Sequence, residues 1–224
     1  MGAFIRMTMS DGADIRVYHA EAKGTRRGGL VLIQEIFGVN PHIRDVAESY
    51  AAEGYEVLAP AVFDREAPGF ESDYSPHLFR EALWLAREEH PFDLSIADAQ
   101  SCINALKDKG PVFMVGYCYG GSVTWAASCK CEGLAAASGY YGTYIVKAMM
   151  DWQPRAPVIL HFGALDEGIP LSEVEKLKAL HPDVPVYVYD ANHGFNSDRR
   201  VVYDEVSAKL AKQRTLEWFA KYGG

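Results

Sequence analysis

An apolar run from Pro111 to Val115 passes directly into Gly116-Tyr117-Cys118-Tyr119-Gly120-Gly121, and a helix-like segment, Ser122–Ser128, follows at once. A chain that leaves a strand, turns within a few residues and enters a helix must lay that helix against the face of a sheet. The two glycines flanking Cys118 at a distance of two residues suit a strained turn with φ near about +60°, because larger side chains there would collide with the turn. The N-terminus of the following helix points at the sulfur, which lowers a thiol pKa and favours developing negative charge. This is the pattern G-x-S-x-G of a nucleophile elbow with Cys in place of Ser. The other reading is a buried structural cysteine whose glycine neighbours serve close packing; its place between a strong strand and a helix favours the nucleophile.

The rest of the chain agrees with a layered architecture. The opening residues alternate around Asp11-Gly12 and predict an antiparallel hairpin over about Ala3–Ala20. Short apolar or β-branched runs then recur at Gly29–Gln34, Tyr55–Ala59, Val112–Gly116, Leu134–Tyr140, Val158–Phe162 and Val184–Tyr189, as strands covered on both faces should read. Helical patterns lie between them: Pro41–Glu53 with Asn40 as N-cap, Pro76–Glu89 after Ser75, Leu94–Lys107 and Leu171–Leu180. A last helix, roughly Asp198–Tyr222, places Val202, Val206, Leu210 and Leu216 on one side. Such alternation predicts a mostly parallel central sheet with helices on both faces. The Pro- and Gly-containing stretch Ala59–Pro76 is an excursion and not a linker, so residues 1–224 are expected to form one domain.

Composition excludes several function classes. The 30 acidic residues outnumber the 22 basic ones, for a formal charge of −8. That field repels phosphate backbones, and nucleic acid is not an expected partner. No apolar run approaches the roughly 20 residues of a membrane span, the N-terminus lacks a secretion-signal core, and Arg6 stands where a myristoylation site requires Ser or Thr. The four cysteines, Cys102, Cys118, Cys129 and Cys131, do not form a disulfide framework in a chain this long, and a cytoplasmic location is expected. Cys129-Lys130-Cys131 has no second ligand pair at zinc-like spacing, so no metal is expected, and nothing calls for a cofactor.

A nucleophile needs a base and an orienting acid, and elbow folds carry them in the chain order nucleophile, acid, base. Asp166 follows the Val158–Phe162 run in Gly163-Ala164-Leu165-Asp166, a loop at a strand end; alternatively it caps the helix from Leu171. His193, in Asn192-His193-Gly194-Phe195, follows the Val184–Tyr189 run, and none of the other six histidines has such a placement. His193 would then take the thiol proton and Asp166 would orient the imidazole. Backbone N–H groups of Tyr119 and of the loop Gln34–Asn40 would form the oxyanion hole.

On these residues the chain resembles the dienelactone hydrolase (carboxymethylenebutenolidase) family, which has the α/β-hydrolase fold. The matching stretches are QEIFGVN (Gln34 to Asn40), GYCYGG (Gly116 to Gly121), GYYG (Gly139 to Gly142), HFGALDEGIP with Asp166, and NHGF with His193. The resemblance implies hydrolysis of a small enol lactone or ester through a thioester on Cys118, a part in aromatic-compound degradation, and Ile36 as the second oxyanion donor. It also implies that Glu35 lies beside the resting thiol and shifts on substrate binding to help deprotonate it. Read from the residues alone, Glu35 is a solvated loop acid or a buried acid paired to an arginine.

The family's substrate bears a carboxylate held by arginines. Arg80, in HLFREALW, matches one of them; as a bare helix residue it reads equally as a surface arginine paired with an acid. The second falls four residues past the histidine, where this chain has Ser197, with Arg199 or Arg200 as substitutes from the start of the last helix. Trp84, Tyr140 and Tyr141 are read as lining an aromatic pocket or as core. The departure at Ser197 keeps open a general carboxylesterase or thioesterase, and a non-catalytic thiol sensor on the same scaffold is a further alternative.

Overall fold

Continuous apolar runs form strands buried on both faces. In the computed structural model, which describes residues 1–224, β3 (Gly28–Ile33), β5 (Val112–Tyr117) and β7 (Val158–Gly163) are buried at every position. They belong to one eight-stranded sheet with order β1-β2-β4-β3-β5-β6-β7-β8. β1 (Ala3–Thr8) and β2 (Asp14–Ala20) make the expected hairpin, and β2 joins β4 (Tyr55–Pro60) antiparallel. From β4 through β8 (Val186–Tyr189), including β6 (Leu134–Tyr140), all neighbours are parallel.

The strand order places β4 and β5 on opposite sides of β3. This is the switch point at which the crossovers part, and a crevice opens there beyond the carboxyl ends of β3 and β5. The helices cover both faces. In α1 (Pro41–Ala52) the Asn40 side chain accepts from the Ile43 N–H, and Pro41 opens the helix. α3 (Phe92–Leu106) packs on β3 and β4, and α4 (Tyr119–Lys130) on β3, β5 and β6; α6 (Leu171–Leu180) follows β7 and meets the short helix Thr143–Ala148. No helix is long and apolar enough to cross a membrane.

Three local readings are corrected. The helix expected over Pro76–Glu89 is α2 (Pro76–Trp84) followed by a π-helical turn, Leu85–Glu89. A short helix, α5 (Thr143–Ala148), was not foreseen because six residues carry no usable period. The last helix, α7 (Glu205–Lys221), begins seven residues late: the Asp204 side chain accepts from the Ser207 N–H at 2.7 Å and starts it there.

The buried face of α7 also differs from the expected one. Val206 is 77% exposed and Leu210 is exposed, whereas Ser207, Ala208, Ala211, Thr215 and Phe219 face inward. Small residues permit close approach to the sheet. Thr215 Oγ1 meets Ser138 and Tyr140 at 2.8 and 2.7 Å, and Phe219 stacks on Phe113 at 4.7 Å. Those buried hydrogen bonds would be lost if the valine face turned inward.

Candidate active site

The turn at the end of β5 holds Cys118 at φ 54°, ψ −111°, a region side-chain-bearing residues rarely adopt. Strain of this kind costs on the order of 1–3 kcal/mol and persists only where surrounding contacts impose it. Here the Cys118 N–H donates to the Tyr140 carbonyl (3.0 Å) and the Gly120 N–H to the Gln34 carbonyl (3.1 Å). A Cβ on Gly116 would lie 2.1 Å from the Gly120 oxygen, and one on Gly120 would lie 2.3 Å from the Ile33 oxygen. Only glycine at both positions lets β3, β5 and the start of α4 close this tightly.

His193 and Asp166 arrive from two later loops. Asp166, after β7, is nearly buried, and its Oδ1 accepts from the Gly168 N–H at 2.8 Å while Oδ2 lies 2.6 Å from His193 Nδ1. It does not cap α6, whose N-cap position is Pro170. The other ring nitrogen, Nε2, lies 3.1 Å from Cys118 Sγ. The structure therefore brings Cys118, His193 and Asp166 into one hydrogen-bonded line, with the imidazole in the middle. Burial pulls the imidazolium pKa down, but the negative charges of Cys118 and Asp166 outweigh it and raise His193 to about 10. The Tyr141 ring packs beside the imidazole, centroids 5.0 Å apart.

The amide N–H groups of Tyr119, at the first position of α4, and of Ile36, in the loop after β3, donate to no acceptor within the chain. Both residues line a cleft of about 510 Å³ with Cys118 and His193, a size suited to a small ligand. Glu35 is buried, and neither carboxylate oxygen has a hydrogen-bond partner. The cation that approaches it is Arg200, whose Nη1 stands 3.9 Å from Oε1. Arg200 also lies over the Phe37 ring at 5.4 Å and lines the cleft. Gly194, at φ 81°, leaves room for that guanidinium, since a Cβ there would meet Nη1 at 2.5 Å.

Other sequence-predicted residues fall elsewhere. Arg80 is exposed and outside the cleft, and so is Trp84, 51% exposed. The cleft-facing stripe is Phe79 and Leu83 of α2, continued by Ala86 of the π-helical turn, and Arg80 and Trp84 each lie one residue, about 100°, beyond the α2 positions. Tyr140 is core, its hydroxyl bonded to Thr215; Tyr141 is buried beneath His193 and does not line the cleft. Of the two candidate substitutes for the arginine absent at Ser197, Arg199 pairs with Asp45 on the surface and Arg200 lines the cleft; both lie in turns ahead of α7.

Arg87 and Lys147 also line the cleft and were not singled out from sequence. Arg87 belongs to the π-helical turn that ends the helix expected over Pro76–Glu89, and Lys147 to α5, which was not foreseen.

Comparison with known proteins places the chain in a family. The model of the dienelactone hydrolase family matches residues 15–223. The "Putative carboxymethylenebutenolidase" of Salmonella typhimurium strain LT2 is 34% identical over an alignment covering 100% of this chain and 89% of that protein. The "Carboxymethylenebutenolidase" of Pseudomonas putida is 26% identical, with 95% and 97% covered. The crystal structure titled "Putative Dienelactone Hydrolase" from Klebsiella pneumoniae superposes with a TM-score of 0.80 at 30% identity, covering 99% of this chain and 100% of that one.

Proposed function

The chain belongs to the dienelactone hydrolase family, and from that premise we propose that it hydrolyses a small enol lactone or activated ester through a thioester on Cys118. The observation that carries this reading is the line Cys118–His193–Asp166, 3.1 and 2.6 Å, at the wall of a cleft with two unpaired amides. Residues 1–224 act as one α/β-hydrolase domain, a reading supported by one sheet and one contiguous buried cluster.

The cycle follows from the groups present. The Cys118 thiolate attacks the carbonyl carbon, and the tetrahedral oxyanion rests on the N–H groups of Ile36 and Tyr119. The C–O bond breaks, and the departing enolate or alkoxide takes the proton from His193; in a lactone it stays attached through the opened ring. A water then loses a proton to His193 and attacks the thioester, and the thiolate leaves with the free acid formed. Asp166 keeps Nδ1–H pointed at itself, so Nε2 faces the sulfur throughout. A stabilised leaving group suits a thiolate nucleophile, because the alkoxide or enolate must depart before sulfur does.

Glu35 and Arg200 form the charge-sensing part. A substrate carboxylate entering the cleft offers Arg200 a better partner than an acid 3.9 Å away and frees Glu35 to help take the thiol proton. Arg200 thus stands in for the family arginine missing at Ser197. Dienelactone and p-nitrophenyl acetate assayed with wild type and Cys118→Ala test the proposal: turnover of both should vanish in the variant, and undiminished turnover would refute it. A general carboxylesterase is the second reading, favoured by the outward position of Arg80; it predicts turnover of the simple ester and not of dienelactone.

A further inference from the structure

The cleft does not end where a small lactone would. Beyond Ala86, Arg87, Glu88 and Tyr144, which line it, the same four residues border a second hollow of about 460 Å³. This hollow runs between the π-helical turn and α5, and Phe92, Met149 and Trp152 form its apolar wall. An aromatic series connects the two: Tyr119, beside the nucleophile, meets Phe92 edge-on at 5.6 Å, and Phe92 meets Tyr144 edge-on at 5.7 Å. At the far end the Lys130 ammonium stands 4.3 Å above the Trp152 ring and holds that face in place.

Direction follows from the residues absent. His193, which serves the leaving group, and Arg200 line only the first cleft. An arm extending into the second hollow passes the Tyr119 ring, which meets Phe92, and runs away from His193 and Arg200.

We propose that the Phe92–Met149–Trp152 groove is an acyl-chain subsite, which takes the alkyl arm of an ester longer than the lactone the first cleft would hold. The assignment rests on the esterase reading of Cys118 and names its substrate class: esters of medium-length, apolar acyl groups. Apolar surface enters the groove with each added methylene. The π-helical turn matters here, since it carries Arg87 and Glu88, which border both hollows.

The test is a series of p-nitrophenyl esters from acetate to hexanoate. The wild type should show kcat/KM rising about two- to threefold per methylene, roughly 15- to 80-fold across the four methylenes of the series, which is below the full transfer value because the groove is open to solvent on one side. Trp152→Ala removes the groove's far wall, and Ala148→Arg, at an exposed position bordering the groove, lays a charged chain across it without touching the core. Either should bring the hexanoate-to-acetate ratio close to one. A flat ratio in the wild type, or a steep ratio that both variants preserve, overturns the subsite. Failure of the wild type to hydrolyse even the acetate would instead overturn the esterase reading, and the subsite with it.

Discussion

Arg200 approaches Glu35 to 3.9 Å, and that carboxylate, buried in the loop after β3, has no hydrogen-bond donor on either oxygen. A buried acid so lightly held is inexpensive to move. Arg200→Gln should therefore raise KM for a carboxylate-bearing lactone roughly 10- to 100-fold, the range of one lost charge-assisted contact, with a much smaller change for p-nitrophenyl acetate. Equal losses on both substrates would mean that Arg200 supports the fold and not the recognition of charge.

Asp166 touches the imidazole and not the substrate, so its removal should act on kcat. Asp166→Asn keeps the shape, but its amide can present Nδ1 with a donor and turn the ring to the wrong tautomer. A fall in kcat of about two to four orders of magnitude is expected with KM nearly unchanged. Stopped-flow or steady-state kinetics with the acetate ester would show it, and a change confined to KM would contradict it.

The titration of His193 gives a signed prediction. Its folded pKa, about 10, lies above the ordinary value of 6.5. The folded state thus binds more protons at this group between those values, and the stabilising contribution is full below about pH 6.5 and lost as pH rises through about 10. Removing the Cys118 side chain, one of the groups that hold the His193 pKa up, in Cys118→Ala should lower that pKa and flatten the pH dependence. NMR titration of the imidazole and urea midpoints across this range would measure both; an unchanged His193 pKa in the variant would refute the coupling.

Much of this was legible in the sequence, for reasons that also explain the rest. Buried parallel strands read as continuous apolar runs, so β3 to β7 were visible. Cys118, Asp166 and His193 each follow such a run, and their chain order alone brings them to the same sheet edge. Arg80 and Trp84 were misplaced because a helix's inward face is chosen by its partners: Phe79 and Leu83 took the cleft side. Lys147 lies in a six-residue helix too short to carry a period, and Arg87 in the π-helical end of a segment that reads as regular helix. The inward face of α7 was misjudged because its polar Thr215 and Ser207 side looked like the solvent side until Ser138 and Tyr140 supplied partners for Thr215.

That correction is itself testable. Arg80→Ala and Trp84→Ala, both exposed and outside the cleft, should leave kcat/KM within about twofold, since surface substitutions usually cost within about 0.5 kcal/mol. A tenfold loss on dienelactone would return Arg80 to the substrate site.

The elbow geometry makes a stability claim as well. Gly116→Ala would set a Cβ 2.1 Å from the Gly120 oxygen, so the turn must open. We expect a loss of about 1–3 kcal/mol in chemical denaturation, with activity falling further than stability does. A variant as active as the wild type would show that the turn is not under this constraint.

The most direct measurement is mass spectrometry of the enzyme quenched in acid during turnover of p-nitrophenyl acetate, with peptide mapping. The account predicts one added acetyl group on the peptide containing Cys118, present in the wild type, enriched when deacylation is slowed in Asp166→Asn, and absent from Cys118→Ala. Acetylation at another residue, or turnover with no adduct and no dependence on Cys118, would contradict it.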